Sequence, residues 1–193
     1  MAKRIRAIPI EYNGIRYRSL LEAKWALFFD ILGVEFLYEC DKYKLGDISY
    51  IPDFYIPHLG IFIEIKGTTP KRIECEKAYR LAHLEKKDVF IIHSNFPRGS
   101  TRKHIRYFGH SNARKMGGRG EYAISRCYHN GHIGLQQLDN EPCKLCGHDS
   151  LADDNGLLRA IISVSSLDIR NYVALMENEL RHVKSFGHSS RLV

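Results

Sequence analysis

An α/β core is predicted for the first half of the chain, on three observations. Apolar residues recur at helical spacing over residues 19–32, and a second helical pattern runs over residues 71–87. Short β-prone segments lie between and after them, at residues 34–39, 48–56, 60–65 and 89–93. Helix, three strands, helix and strand over roughly ninety residues are enough to build a sheet covered by helices.

Taken in order, Asn13-Gly14 between residues 8–12 and 15–18 marks a tight hairpin, because those residue types accept the two positive-φ positions of its turn. Ser19 is a helix cap, and Ser19-Leu20-Leu21-Glu22 fits a capping box. Leu21, Trp25, Phe28, Phe29 and Leu32 form the apolar face of that helix, which stops at Gly33. The three aromatic residues are expected in the core rather than as a base-stacking platform.

The 193 residues are 44% hydrophobic and 26% charged, which excludes wholesale disorder. No run approaches the ~18 apolar residues of a membrane span, and the chain opens without a charged-then-apolar signal, so a cytoplasmic location is expected. Twenty-nine Lys and Arg face 22 Asp and Glu, a formal net charge of +7. The excess is local: residues 1–18 carry five bases and one acid, and residues 89–120 carry seven bases and no acid. Between them, residues 19–88 hold ten bases and twelve acids. Such a distribution suits a protein that grips a polyanion at one place and concentrates carboxylates at another.

The carboxylates fall in a pattern. Pro52-Asp53-Phe54 leads into one strand, and Ile61-Phe62-Ile63-Glu64-Ile65-Lys66-Gly67 forms the next. On a strand, Glu64 and Lys66 leave one face while Ile61, Ile63 and Ile65 occupy the other. An acid and a lysine on a covered strand are costly unless paired or metal-bound. Other readings stand beside this one. Glu22 could serve only the capping box, Asp53 could be a turn residue after Pro52, and Glu64 with Lys66 could be a surface ion pair.

Asp53, Glu64 and Lys66, with ten residues between the two acids, resemble the PD-(D/E)xK motif of the restriction-endonuclease-like nuclease superfamily. The upstream Ser19-x-x-Glu22-x-x-Trp25 stretch resembles its first helix, where a glutamate often completes the metal site. The whole pattern, from Tyr17 and Ser19 through Glu22, Leu32-Gly33 and Pro52-Asp53-Phe54 to Glu64-Ile65-Lys66-Gly67, is similar to transposon end-cleaving and phage endonucleases. The resemblance covers about residues 12–95. It implies a mixed sheet flanked by helices, with Glu22, Asp53 and Glu64 and the Ile65 carbonyl binding Mg²⁺ or Mn²⁺. Lys66 would then orient or deprotonate the attacking water or stabilise developing charge. Where many relatives carry Gln or Lys on the second helix, this chain has Cys75 four residues before Tyr79, so no fourth motif residue is assigned there.

Residues 96–120 mix bases with Gly, Ser and Asn and read as a basic arm or linker. Arg98, Arg102, Lys103, Arg106, Arg114, Lys115 and Arg119 are its candidate nucleic-acid contacts, the alternative being an ordinary solvated linker. Residues 121–150 read as a strand, a turn at Asn130-Gly131 and a returning strand, followed by Cys143-Lys144-Leu145-Cys146. The Cys-x-x-Cys spacing, an odd total of five cysteines and the reducing compartment expected for the chain favour metal over disulfides. This module resembles a zinc ribbon, with Cys127, Cys143, Cys146 and His132 as ligands of a structural Zn²⁺, and His129 or His148 as other choices for the fourth. Cys40 and Cys75 are expected to be half-buried thiols. Within the C-terminal segment 151–193 the chain is expected to be helical from Leu157 onward, with Ile169, Tyr172, Val173, Met176, Leu180 and Val183 at helical spacing and residues 185–193 as a tail.

Four segments are thus expected: a nuclease core at 1–95, a basic arm at 96–120, a zinc module at 121–150 and C-terminal helices at 151–193. The expected function is metal-dependent hydrolysis of DNA within the strand. The alternatives are a non-catalytic nucleic-acid-binding or assembly protein that keeps the fold, and a nuclease directed at RNA. DNA is the expected partner, no membrane is involved, and a homodimer or larger nucleoprotein assembly stays open.

Overall fold

A computed structural model describes residues 9–94, 104–110, 117–119, 122–127, 133–137 and 151–152. The chain begins with the expected hairpin, β1 (Ile10–Tyr12) and β2 (Ile15–Tyr17), turning through Asn13 and Gly14 at φ 51° and 74°. Helix α1 (Leu20–Ile31) follows, its first free N–H groups met in part by Ser19, whose hydroxyl accepts from the Glu22 N–H. Then come β3 (Leu37–Tyr38), a small separate hairpin of β4 (Tyr43–Leu45) and β5 (Ile48–Tyr50), and β6 (Phe54–Ile56). Strand β7 (Ile61–Lys66), helix α2 (Arg72–Glu85) and strand β8 (Asp88–His93) complete the run.

The main sheet has six strands, with β9 (Ile105–Phe108) and β10 (Gly118–Arg119) added beside β8, in the order β10-β9-β8-β7-β6-β3. Strands β7 and β8 are parallel, joined through α2, and the other pairs are antiparallel, so the architecture is a mixed α/β sheet. Helix α1 covers one face, where Trp25, Phe28 and Phe29 pack with Ile61, Ile63, Ile65, Phe90 and Ile92. Helix α2 and the β4–β5 hairpin cover the other, where Cys75, Ala78, Leu81, Leu45 and Tyr50 meet Phe62, Val89 and Ile91. Each fully buried large side chain contributes about 1.5–3 kcal/mol through area removed from water. The alternation of β7 therefore sends its isoleucines to α1 and Phe62 with Glu64 toward α2, as the pattern requires.

Three expectations change. Residues 48–56 are not one strand but two, β5 and β6, in different sheets; Pro52 has no N–H to give a ladder, and the chain crosses from hairpin to main sheet there. The segment read as an arm or linker supplies β9 and β10, and Ile105 and Phe108 are buried because they close the sheet beyond β8. Cys75 is buried and Cys40 exposed, so neither is half-buried.

Beyond the main sheet, β11 (Tyr122–Cys127) and β12 (Ile133–Gln137) form the expected antiparallel hairpin, and β13 (Leu151–Ala152) pairs with the other side of β11. The helical pattern expected from Leu157 onward lies outside the described residues. Ile124 of β11 packs into the α1-side core. The proposed ligands His132, Cys143 and Cys146, the alternatives His129 and His148, and the apolar stripe from Ile169 to Val183 lie outside the described residues. Among the described residues, no helix is long and apolar enough to cross a membrane.

Candidate active site

The crossing at Pro52 delivers Asp53 to the start of β6, beside the end of β7. Asp53 is 1% exposed, and its Oδ2 accepts the Ile65 N–H at 2.7 Å. Glu64, on the neighbouring strand, is 6% exposed; its Oε2 accepts the Tyr50 hydroxyl at 2.9 Å and its Oε1 pairs with Lys66. From the first turn of α1, Glu22 accepts the Ser19 hydroxyl at 2.7 Å on Oε1. Its Oε2 takes the Tyr38 hydroxyl at 2.5 Å and the Arg18 N–H at 3.1 Å. Glu22 thus serves the helix start in a modified way, holding the N–H before the cap rather than that of Ser19 itself.

The four sequence-predicted residues Glu22, Asp53, Glu64 and Lys66 come together at one site. Their mutual influence is visible in Asp53, whose pKa is pushed well above the carboxylate range by burial, and further by the charges of Glu64 and Glu22. Burial works against the charge of Lys66, but Glu64 and Asp53 outweigh it and raise its pKa. Ile65 touches the site through its N–H. Tyr50, buried and beside Glu64, has its pKa raised well above the ordinary phenol value, so it stays a neutral donor.

The sequence pattern did not single out Arg18, Glu39, Tyr38 or Tyr50. The guanidinium of Arg18 pairs with Asp53 Oδ1 at 2.5 Å and with Glu39 Oε1 at 2.5 Å, and stands 3.9 Å from Glu22 Oε2. Glu39 adopts a positive φ of 46°, and its N–H donates to the Asp53 carbonyl at 2.9 Å. Side-chain pairing across 35 residues of sequence leaves no periodic trace; only the proximity of Arg18 to Ser19 and Glu22 hinted at it.

Among the described residues, no group of three or more His, Cys, Asp or Glu side chains stands as it would around a metal. Their oxygens are turned to Arg18, Lys66, Tyr38, Tyr50 and the Ile65 N–H. The donor set nonetheless fits a hard divalent cation: it is all oxygen, and among the described residues Glu22, Glu39, Asp53 and Glu64 pair with two cations, Arg18 and Lys66, leaving two formal negative charges.

Of the candidate nucleic-acid contacts, Arg98, Arg102, Lys103, Arg114 and Lys115 lie outside the described residues, and Arg119 is described only as part of β10. Arg106 does not stand on a free basic surface. It is 3% exposed, with Nη1 3.5 Å from the Cys75 sulfur and Nε without a hydrogen-bond partner, because β9 turns it under α2. Lys77 lies over the Tyr50 ring, and Arg80 donates to the Leu45 carbonyl at 2.9 Å, so both tie α2 to the β4–β5 hairpin. The chain matches no family model, no curated protein and no solved structure.

Proposed function

We propose that the chain is a Mg²⁺- or Mn²⁺-dependent DNA endonuclease of the PD-(D/E)xK, restriction-endonuclease-like type. The observation that carries this reading is the meeting of Glu22, Asp53, Glu64 and Lys66 from three separate elements at one site of a mixed α/β fold. A carboxylate such as Asp53, whose pKa is raised by burial and by the charges of Glu64 and Glu22, is expensive in a structural core and common where chemistry is done.

Glu22, Asp53 and Glu64 would hold the divalent ion, with the Ile65 carbonyl as a further oxygen. When bound, the ion supplies an activated water and neutralises charge on the phosphodiester. The Ile65 N–H fixes one oxygen of Asp53, and the Tyr50 hydroxyl fixes one of Glu64, so both carboxylates are oriented before any ligand arrives. Lys66, held protonated by Glu64 and Asp53, is suited to stabilising the negative charge that develops on the scissile phosphate. Cys127, at the end of β11, would hold the structural Zn²⁺ with Cys143, Cys146 and His132, for which one zinc per chain by metal analysis is the expected result.

The test is incubation with linear, single-stranded and branched DNA, with Mg²⁺, Mn²⁺ or chelator. Cleavage that needs the metal, and that is lost in a folded Asp53→Asn chain, is expected. Intact DNA in every arm, with DNA binding retained, would support a non-catalytic binding protein instead, and preferential cutting of matched RNA would reassign the substrate.

A further inference from the structure

We infer that Arg18 is a resident counter-cation of the carboxylate cage, which must be displaced for a divalent metal to bind and then becomes a phosphate-binding group of the same site. The inference rests on the nuclease reading and gives it one more substrate-contacting residue.

The position of the guanidinium carries it. Arg18 occupies Asp53 Oδ1, the oxygen of Asp53 that the Ile65 N–H leaves open, and it reaches Glu39 and Glu22 from the same place. A cation that coordinates Asp53 together with Glu22 competes for the oxygens that Arg18 holds. Two positive charges cannot share them at hydrogen-bond distance, since unit charges at about 4 Å repel by several kcal/mol near a protein surface. The lattice of partners also says which part moves. The Arg18 backbone N–H is fixed to Glu22 Oε2 and to the Tyr38 hydroxyl, both at 3.1 Å, whereas its side chain is 55% exposed. The backbone is anchored and the side chain is free to swing outward into solvent, a rotamer change that exposed residues make within nanoseconds. Asp53 and Glu22 are buried, so the rim they share with Arg18 is the side from which a substrate phosphate approaches. A planar guanidinium freed at that rim matches two phosphate oxygens at once.

Arg18 thus exchanges one anion for another: carboxylate in the metal-free protein, phosphate in the complex. The reading separates it from Lys66, whose partner is Glu64 and whose side chain is less exposed.

Manganese binding to the full chain, measured by electron paramagnetic resonance or calorimetry without DNA, tests the displacement. Arg18→Gln is expected to bind Mn²⁺ about tenfold or more tightly than the parent, the scale on which a neighbouring opposite charge shifts carboxylate equilibria, with Arg18→Lys between the two. In a Lys66→Ala background, Arg18→Gln should weaken DNA binding several-fold with Mn²⁺ and leave it unchanged without. Equal or weaker Mn²⁺ affinity in Arg18→Gln, while the parent binds metal and cuts, overturns this inference alone. Failure of the parent to bind Mn²⁺ overturns it together with the nuclease reading. Should Arg18→Gln not fold, Mg²⁺ titration of the parent, followed at the Arg18 Nε–H by nuclear magnetic resonance, decides: a shifted signal is expected, and an unmoved one at metal saturation refutes displacement.

Discussion

The Tyr50 hydroxyl donates to Glu64 Oε2 at 2.9 Å, and both residues are buried. The hairpin that carries Tyr50 belongs to a different sheet from β7, so this bond couples two otherwise independent ladders. Tyr50→Phe leaves a buried carboxylate oxygen without its donor, which costs about 1–3 kcal/mol. The expected result is a lower urea midpoint at unchanged slope, and a wild-type midpoint would show that water replaces the hydroxyl.

Asp53 makes the metal-free protein less stable as pH rises. Its folded pKa lies well above its unfolded value, which is about 3.9. Its contribution is therefore fully present below that unfolded value and is lost as pH climbs through the folded one. Burial is the largest cause and Glu64 and Glu22 add to it, whereas Lys66, the Ile65 N–H and the Arg18 guanidinium on Oδ1 oppose it. The raised pKa of Lys66 acts only in alkaline solution, above about 10.4, and does not cancel the trend. Asp53→Asn should raise the melting temperature in chelator at pH 7.5 more than at pH 5. An equal effect at both values would contradict the burial argument.

Lys66 is expected to act on the rate rather than on metal affinity. Lys66→Ala should slow single-turnover cleavage by about 10²–10⁴-fold while Mn²⁺ binds at least as tightly, because one positive neighbour of Glu64 is gone. A variant that loses metal and activity together would make Lys66 an organiser of the cage.

Arg106 supplies a contrasting test. Among the described residues its Nε has no hydrogen-bond partner and its side chain reaches the Cys75 sulfur under α2, so Arg106→Met should leave thermal stability unchanged or higher. The salt dependence of DNA binding should keep its slope, whereas loss of one phosphate contact would lower it by about one unit. A reduced slope would return Arg106 to the interface.

The comparison of Arg106 with Glu64 shows what the sequence could and could not reveal. Glu64 alternates with isoleucines on one continuous strand, and that local rule places it correctly on the face away from α1. Arg106 lies in a segment whose wider composition of bases, glycines and polar residues reads as solvated, although Ile105, Tyr107 and Phe108 beside it are β-prone; its burial follows from β9 pairing with β8, a long-range event. The same holds for Arg18 and Glu39, whose roles depend on a crossing of the chain at Pro52. The Ser19 cap, the Asn13-Gly14 turn and the α1 core were readable because each depends on residues within one turn of one another. The break between β5 and β6 was not expected, although Pro52, which has no N–H to give, is a signal against a continuous strand there.

Strand β7 is hemmed in by β6 on one side and β8 on the other, with opposite chemistry on its two faces. A slip of a single residue would send Ile63 and Ile65 into the carboxylate cage and bury Glu64 and Lys66 against Trp25 and Phe28. Fold and catalyst therefore share one failure mode: the strand has no misregistered state that is stable yet inactive. Insertions and deletions in this region are tolerable only beyond the ends of the strand, in the turn at residues 57–60 or after Gly67.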